Sequence, residues 1–170
     1  MAFFLPWQFL WIKLEGDDRM DVKQYQFQRL DESAAPAVRK LFVSVFTGEP
    51  WNDDWSDEAQ LKAYLHDLIG QGNSLAFGLY EGDSLVGVSM GRIKHWYTGT
   101  EYCIDELCIA HEKQGKGLGT LFVQEIEKAC RALGLTHIFL LTENDVPAYG
   151  FYQKQGFYEL KTNVAFAKKL

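Results

Sequence analysis

The order of predicted elements, β-α-α-β-β-β-α-β-α-β, indicates an α/β (α+β) fold. Three observations lead to it. An alternating run at Tyr25–Leu30 predicts a strand, a turn at Glu81–Ser84 predicts a hairpin, and the apolar run His137–Leu141 predicts a buried strand after a helix. A chain of 170 residues that is 47% apolar suits a single domain with one core.

Helical spacing of apolar residues predicts four helices between these strands. The first follows Pro36, the second has Ser56 as its N-cap and ends at Gly70, the third ends at Gly134, and a short fourth lies near 147–155. The apolar stripes of the first three are Val38, Leu41, Phe42, Val45 and Phe46; Leu61, Tyr64, Leu65, Leu68 and Ile69; and Leu118, Leu121, Phe122, Ile126, Ala129 and Leu133.

The other strands are expected at SLAFGLY, at SLVGVSMGRIKHW, at Tyr102–Ile109 after a Thr98–Thr100 turn, and near Val164–Lys168. No linker, low-complexity segment or internal repeat interrupts the chain. We therefore expect residues 20–170 to form one domain.

Residues 1–19 differ from the rest because the run MAFFLPWQFLWI is almost entirely apolar. It is too short to span a bilayer and lacks the basic segment and cleavage site of a signal peptide. We expect an extension outside the domain, with ordinary domain sequence from Met20. The alternative is an interfacial or dimer-contact segment anchored by Trp7 and Trp11. Under that alternative the partner of the chain is a second copy of itself, in a homodimer.

Composition narrows the class of function. A net charge of −6 and a pI of about 5.2 argue against nucleic acid as a partner and favour a cationic small molecule. Cys103, Cys108 and Cys130 form neither a CxxC pair nor zinc spacing, so we expect no metal site. Three cysteines also fit a reducing, cytoplasmic location.

The segment that points to chemistry is a predicted strand that runs through a glycine-rich loop into a helix. Gly115, Gly117 and Gly119 let the backbone approach a ligand closely, and the helix start offers unpaired N–H groups to an anion such as a pyrophosphate. The P-loop pattern is absent, and GxGxG is not the dinucleotide fingerprint GxGxxG. A glycine-rich turn without a ligand is the simpler alternative.

Two motifs resemble those of the GCN5-related N-acetyltransferases, the GNAT family. Gln114-x-x-Gly117-x-Gly119 is similar to Q/R-x-x-G-x-G/A, and Ala148 to Phe157 is similar to A-x-x-F-Y-x-K-x-G-F. His111 and Gln114 replace the family's frequent Pro and Arg. The resemblance spans about residues 24–170. It implies a GNAT fold, in which a mixed, mostly antiparallel central sheet of six to seven strands is flanked by about four helices.

The resemblance implies that acetyl-CoA, as the cosubstrate, binds across the glycine loop and the end of the preceding strand. Main-chain groups there would hold the pantetheine and acetyl group, and the loop would hold the pyrophosphate. The implied cofactor residues are Leu107, Cys108, Ile109, Gln114, Gly115, Lys116, Gly117, Leu118, Gly119 and Thr120.

The implied reaction is direct transfer of the acetyl group to an amine in a ternary complex. Tyr152 stands where the family places its general acid, although it could be a core aromatic. Glu106 is the first candidate for the base and Asp105 the second, on opposite faces of one strand. Either acid could merely bind a cationic substrate. Cys108 is expected to be a buried, inert thiol, because direct transfer needs no nucleophile.

An acidic, Trp-rich loop between the first two helices is the candidate acceptor site. Trp51, Asp53, Asp54 and Trp55 suit a small cationic amine, although the loop could simply be a solvated surface. The segment Gly48–Trp51 and the Glu106-Leu107 pair resemble the aminoglycoside acetyltransferase branch. The alternatives are a protein or peptide N-acetyltransferase and a non-catalytic module that senses acetyl-CoA.

Overall fold

The computed structural model describes residues 24–170, so the expectations for residues 1–19 and Met20 lie outside the described part of the chain. Five strands and four α-helices follow in the expected order. Their bounds are β1 (Tyr25–Leu30), α1 (Ala35–Phe46), α2 (Glu58–Ile69), β2 (Ser74–Glu81), β3 (Ser84–Trp96), β4 (Gly99–Ile109), α3 (Leu118–Ala132), β5 (His137–Leu140) and α4 (Pro147–Lys154).

The five strands form one sheet in the order β1-β2-β3-β4-β5. Neighbours from β1 to β4 pair antiparallel, whereas β4 and β5 pair in parallel over Glu101–Ile104 and His137–Leu140. This confirms the mixed, mostly antiparallel sheet. The parallel pair is possible because α3 connects β4 to β5.

Helices cover the sheet and bury the stripes that the sequence predicts. α1 and α2 pack against β2 and β3, and α3 packs against β4. A Cβ on Gly87 would lie 2.7 Å from Ile109 Cδ1 and 3.5 Å from Phe122 Cδ1, so Ile109 shares its side of the sheet with α3. The stripe of α1 is fully buried, whereas Leu133 at the end of α3 is 42% exposed.

An irregularity interrupts the pairing of β3 with β4. Met90 faces Glu106 while Gly91 faces Ile104, which leaves Asp105 as an extra residue on β4. This is a β-bulge, and it breaks the simple alternation of side chains along the strand. The assignment of Asp105 and Glu106 to opposite faces by alternation alone therefore does not describe this strand fully.

The sheet has five strands in the described part of the chain, where six to seven were expected. Val164–Lys168 is not a strand, and Val164 and Phe166 are 73% and 93% exposed. The strand β5 ends at Leu140, and Leu141 is exposed. A period-two pattern forms a strand only when it has a partner edge and a face to bury, and here the segment has neither.

Two boundaries also differ from expectation. Asp57, not Ser56, is the N-cap of α2, because its carboxylate accepts hydrogen bonds from the N–H groups of Ala59 and Gln60. The β3–β4 turn is shorter than expected: Trp96 already pairs with Gly99, so Tyr97 and Thr98 make the turn.

Candidate active site

The strands β4 and β5 separate at the end of their paired segment. Their pairing stops at Ile104 and Leu140, yet β4 continues to Ile109 along β3. The edge of β4 from Asp105 onward consequently has no β5 partner. Leu107, Cys108 and Ile109 lie on this part of β4. Their main-chain groups that point away from β3 are available to an extended ligand, although the carbonyl of Ile109 already accepts a hydrogen bond from the glycine loop.

The glycine loop continues directly from this open edge. A short 3-10 turn at His111–Lys113 leads to Gly115 and Gly117, whose φ angles of 71° and 83° lie in the left-handed region. Gly117 is the N-cap of α3 and has no side-chain cap, so the first-turn N–H groups of α3 are left without intrahelical partners. Leu118, by contrast, is buried in the core.

The polar side chains of the loop are engaged within the chain. Gln114 Nε2 donates to the carbonyl of Ile109 at 2.9 Å, and Lys116 Nζ donates to the carbonyl of Glu112 at 2.8 Å. Thr120 Oγ1 accepts from Gln155 Nε2 at 3.0 Å. These contacts shape the loop, and they leave its main chain as the part directed at a ligand.

Gly119 is where the two sequence motifs meet. A Cβ on Gly119 would lie 3.3 Å from the ring of Phe151, which belongs to α4. This residue therefore permits the close approach of α3 and α4, so its glycine has a packing role besides any role toward a ligand.

Glu106 lies on the opposite side of β4 from the glycine-loop helix. It precedes Ile109 by three residues, so its side chain faces the α2 side. Tyr64 of α2 donates its hydroxyl to Glu106 Oε1 at 2.5 Å. Burial raises the pKa of Glu106, the charges of Asp53 and Asp105 add to the rise, and the hydrogen bond from Tyr64 opposes it.

Asp105 has a different environment from that of Glu106. Its Oδ2 accepts from Arg92 Nη1 of β3 at 2.6 Å, and the two side chains are 29% and 52% exposed. Of the two predicted bases, Asp105 is held in an ion pair, whereas Glu106 is partly buried and bonded to a tyrosine hydroxyl.

In the candidate acceptor loop, residues 48–55 between α1 and α2, the acidic and aromatic side chains have different environments. The charge of Asp53 contributes to the raised pKa of both Glu106 and Tyr64. Asp54 instead accepts from Ser56 N at 3.1 Å in an exposed turn, and this bond lowers its pKa. Trp55 stacks on Tyr64 at 4.9 Å between ring centroids, and Trp51 packs against Phe46.

Tyr152 of α4 is influenced electrostatically by two residues of β4. Burial raises its pKa to about 12, and Glu106 and Cys108 contribute to the rise. Phe151 and Phe157 hold its ring through edge contacts at 5.3 and 5.4 Å. Burial also raises the pKa of the Cys108 thiol, so this cysteine is not a thiolate near neutral pH.

A cleft of about 1210 Å³ lies beside β5 and α4. Tyr152 lines it, but none of the other predicted site residues does. Across residues 24–170, His, Cys, Asp and Glu do not gather in threes to hold a metal ion. Each helix over the same residues is too short or too polar to cross a membrane.

The sequence reasoning missed two residues of this region. Tyr64 was assigned only to the apolar stripe of α2, and Arg92 was not singled out. Both contact a carboxylate on β4 from 42 and 13 residues away. The only signal in the sequence was the polar tip of Tyr64 within an otherwise aliphatic stripe.

Known proteins share this architecture. In Bacillus subtilis (strain 168), the protein YxbD is 31% identical over 90 residues, which cover 49% of this chain and 57% of that protein. The match thus spans little more than half of that relative's length. A possible acetyltransferase from Clostridium difficile 630 superposes with a TM-score of 0.74 at 14% identity, covering 86% of this chain and 99% of that one.

Two further solved structures are aminoglycoside acetyltransferases. One, from an uncultured soil metagenomic sample in complex with trehalose, has a TM-score of 0.69 at 21% identity and covers 88% and 98% of the two chains. The other, AAC(6')-Iy with a bisubstrate analog, has a TM-score of 0.68 at 12% identity and covers 86% and 99%. At these identities the likeness concerns the fold.

The Acetyltransferase (GNAT) family description matches residues 35–157, which include both motifs, the open edge of β4 and the acceptor loop. This confirms the resemblance inferred from the two motifs. The chain belongs to the GNAT family of acetyltransferases.

Proposed function

We propose that this protein is an N-acetyltransferase that moves the acetyl group of acetyl-CoA directly to a primary amine of a small, cationic acceptor. The observation that carries the proposal is the convergence of three parts at one end of β4. They are the edge of 105–109 that faces away from β3 and has no β5 partner, the glycine loop, and the side chains of Glu106 and Tyr152.

The cosubstrate fits the main-chain part of the site. The edge of β4 beyond Ile104 offers N–H and C=O groups to the amide-rich pantetheine arm, and the first turn of α3 offers N–H groups to its pyrophosphate. Lys116 adds positive charge within the loop, whereas the ammonium of Lys113 is paired with Glu81 at 2.5 Å. When bound, acetyl-CoA supplies an acetyl group activated as a thioester.

The side chains supply proton transfer. Glu106 accepts a proton from the substrate ammonium, directly or through water, because burial raises its pKa toward that of a useful base. Tyr152 remains protonated at neutral pH and gives a proton to the sulfur as the C–S bond breaks. The amine nitrogen forms the new bond to the acetyl carbon, so no nucleophile of the protein is needed.

Negative charge on the acceptor side supports a cationic substrate. Asp53 accepts a hydrogen bond from Trp55 Nε1 at 3.4 Å and Glu106 accepts one from the Tyr64 hydroxyl, so both carboxylates border the Trp55–Tyr64 stack. Carboxylates and aromatic faces together suit an ammonium group. Aminoglycosides are one class with these properties, and acetyltransferases acting on them share this fold.

A panel of amines tests the proposal. Thiol release from acetyl-CoA is measured with aminosugars, polyamines, arylamines, neutral amino acids and lysine peptides. A polycationic small amine should be the best acceptor. Peptides as the best substrates would make the protein a peptide N-acetyltransferase, and tight acetyl-CoA binding without turnover on any amine would make it a sensor module.

A further inference from the structure

Tyr64 links the acceptor loop to the carboxylate on β4. We propose that Tyr64 is a positioning residue whose hydroxyl orients Glu106 and favours its charged form, while the Trp55 ring holds Tyr64 in place. The inference rests on the proposed function, because it assigns Glu106 the role of base.

The contact is fixed from both sides. Tyr64 and Glu106 lie 42 residues apart, and the hydroxyl reaches Oε1 at 2.5 Å. The Tyr64 ring stacks on Trp55 with an interplanar angle of 22°. Phe42 of α1 packs against Tyr64 with ring centroids 5.9 Å apart. Packing on two sides leaves the ring little freedom to turn the hydroxyl away.

The chemistry of the bond follows from its donor and acceptor. A carboxylate accepts several hydrogen bonds, so donation to Oε1 leaves Oε2 free for the ammonium of the acceptor. A bond that is stronger to the charged carboxylate also favours that form. Tyr64 is itself protonated at neutral pH, because burial and Glu106 raise its pKa. It is consequently a donor and not a competing base.

The other groups around Glu106 act in the opposite direction. Burial and nearby negative charges raise the pKa of Glu106, and the bond from Tyr64 lowers it. Without that donor, a larger share of Glu106 would be protonated and unable to accept a proton. The titratable groups that face Glu106 are Tyr64 on α2, Asp53 in the acceptor loop, Asp105 and Cys108 on β4, and Tyr152 on α4.

The first experiment needs no acetyl transfer. The protein is labelled with ¹³C at glutamate side chains, and Glu106 is titrated by NMR, its signal being assigned from its loss in Glu106→Gln. In Tyr64→Phe the midpoint should move to higher pH. Tyr80→Phe is the matched control, since Tyr80 is also half-buried against the core but lies on β2. It should not move the midpoint.

The second experiment is a double-mutant cycle on acetylation of the best amine. Tyr64→Phe should lower kcat/KM about tenfold, as expected for a lost bond to a charged group, and move the acid limb of its pH profile upward. In the Glu106→Gln background the same change should cost less than about twofold. An equal loss in both backgrounds would mean a purely structural role.

The two experiments separate the inference from the function on which it rests. An unmoved or lowered Glu106 midpoint in Tyr64→Phe overturns the role of Tyr64, whatever the activity. If the Glu106 midpoint is raised in Tyr64→Phe but the wild-type protein acetylates no amine, the proposed function is overturned, and with it the role of Glu106 as a base. A raised midpoint with a tenfold loss that depends on Glu106 supports both.

Discussion

The glycine loop and the proposed acceptor side of the site differ in the groups that would contact a ligand, which are main-chain groups in the loop and side chains on the acceptor side. The loop at 114–120 is one continuous segment, and its own polar side chains bond within the chain, so it presents main chain to a ligand. The acceptor side presents side chains, which come from α2, β4, α4 and the loop before α2. A main-chain site leaves a contiguous motif in the sequence, whereas a side-chain site is assembled only by folding.

This difference predicts where single substitutions act. Changes on the proposed acceptor side should lower kcat or raise the KM for the amine while the affinity for acetyl-CoA is kept. Changes in the loop should weaken the affinity for acetyl-CoA.

Tyr152→Phe should have the largest effect. If Tyr152 protonates the departing sulfur, kcat should fall by ~10²–10⁴ while the affinity for acetyl-CoA is nearly kept. Steady-state kinetics and titration calorimetry measure the two quantities. A variant with wild-type kcat would show that Tyr152 is a core aromatic and not one of the side chains that take part in the reaction.

Glu106→Gln should lower kcat/KM by about 10²–10³ because the base is lost. It should not destabilise the protein at neutral pH. Burial raises the pKa of Glu106, so the native state binds its proton more tightly than the unfolded chain does. Stability is then lost as pH rises through the interval between the two pKa values, and a neutral amide escapes that loss.

The measurement for Glu106→Gln is Tm at neutral pH beside the kinetics. An equal or higher Tm with a strongly reduced rate is expected. A large drop in Tm would indicate that the carboxylate holds the fold together and would weaken its assignment as a base.

Gly117→Ala should weaken CoA binding about tenfold by disturbing the N–H groups at the start of α3. Gly134→Ala is its matched control, because Gly134 follows α3 and also has a left-handed φ, 74° against 83°. Both variants should lose similar stability, since each forces a Cβ into that conformation. Equal CoA affinity in the two variants, measured by calorimetry, would contradict a ligand role for the loop.

Asp53→Asn should raise KM for the amine about two- to fivefold, the range expected for a partly solvated charge pair, with little change in kcat. Asp54→Asn should change the KM for the amine less, because Asp54 already accepts a hydrogen bond from Ser56 N. The amine KM of the wild type should also rise with ionic strength. Equal effects of the two substitutions would show that the loop contributes only general negative charge.

A chain that begins at Met20 should show the smallest effect of all. Every motif of the site lies downstream, so folding and activity should be retained. Solubility, Tm and kcat compared with the full chain test this, and an insoluble or inactive product would assign residues 1–19 to the fold or to an interface.

The contrast between main-chain and side-chain parts of the site also explains which features could be predicted from the sequence alone. The strand-loop-helix unit around Gly117 and the burial pattern of α1 were predictable, because both depend on residues close together in the chain. The bond between Tyr64 and Glu106 depends on how α2 lies across β4, and no local pattern encodes that. The tail at 164–168 shows the converse, since its local pattern favours a strand that the surrounding structure does not complete.

The extra residue in β4 has a consequence for how such a chain can vary. Asp105 shifts the register between Ile104 and Glu106, and that shift directs Glu106 toward Tyr64 and Ile109 toward α3. A strand reverses its faces with each residue added or removed. Point substitutions at 105 keep that geometry, whereas deletion of a single codon there would turn the carboxylate toward α3. The number of residues in this part of β4, more than the identity of residue 105, therefore determines which way the Glu106 side chain points.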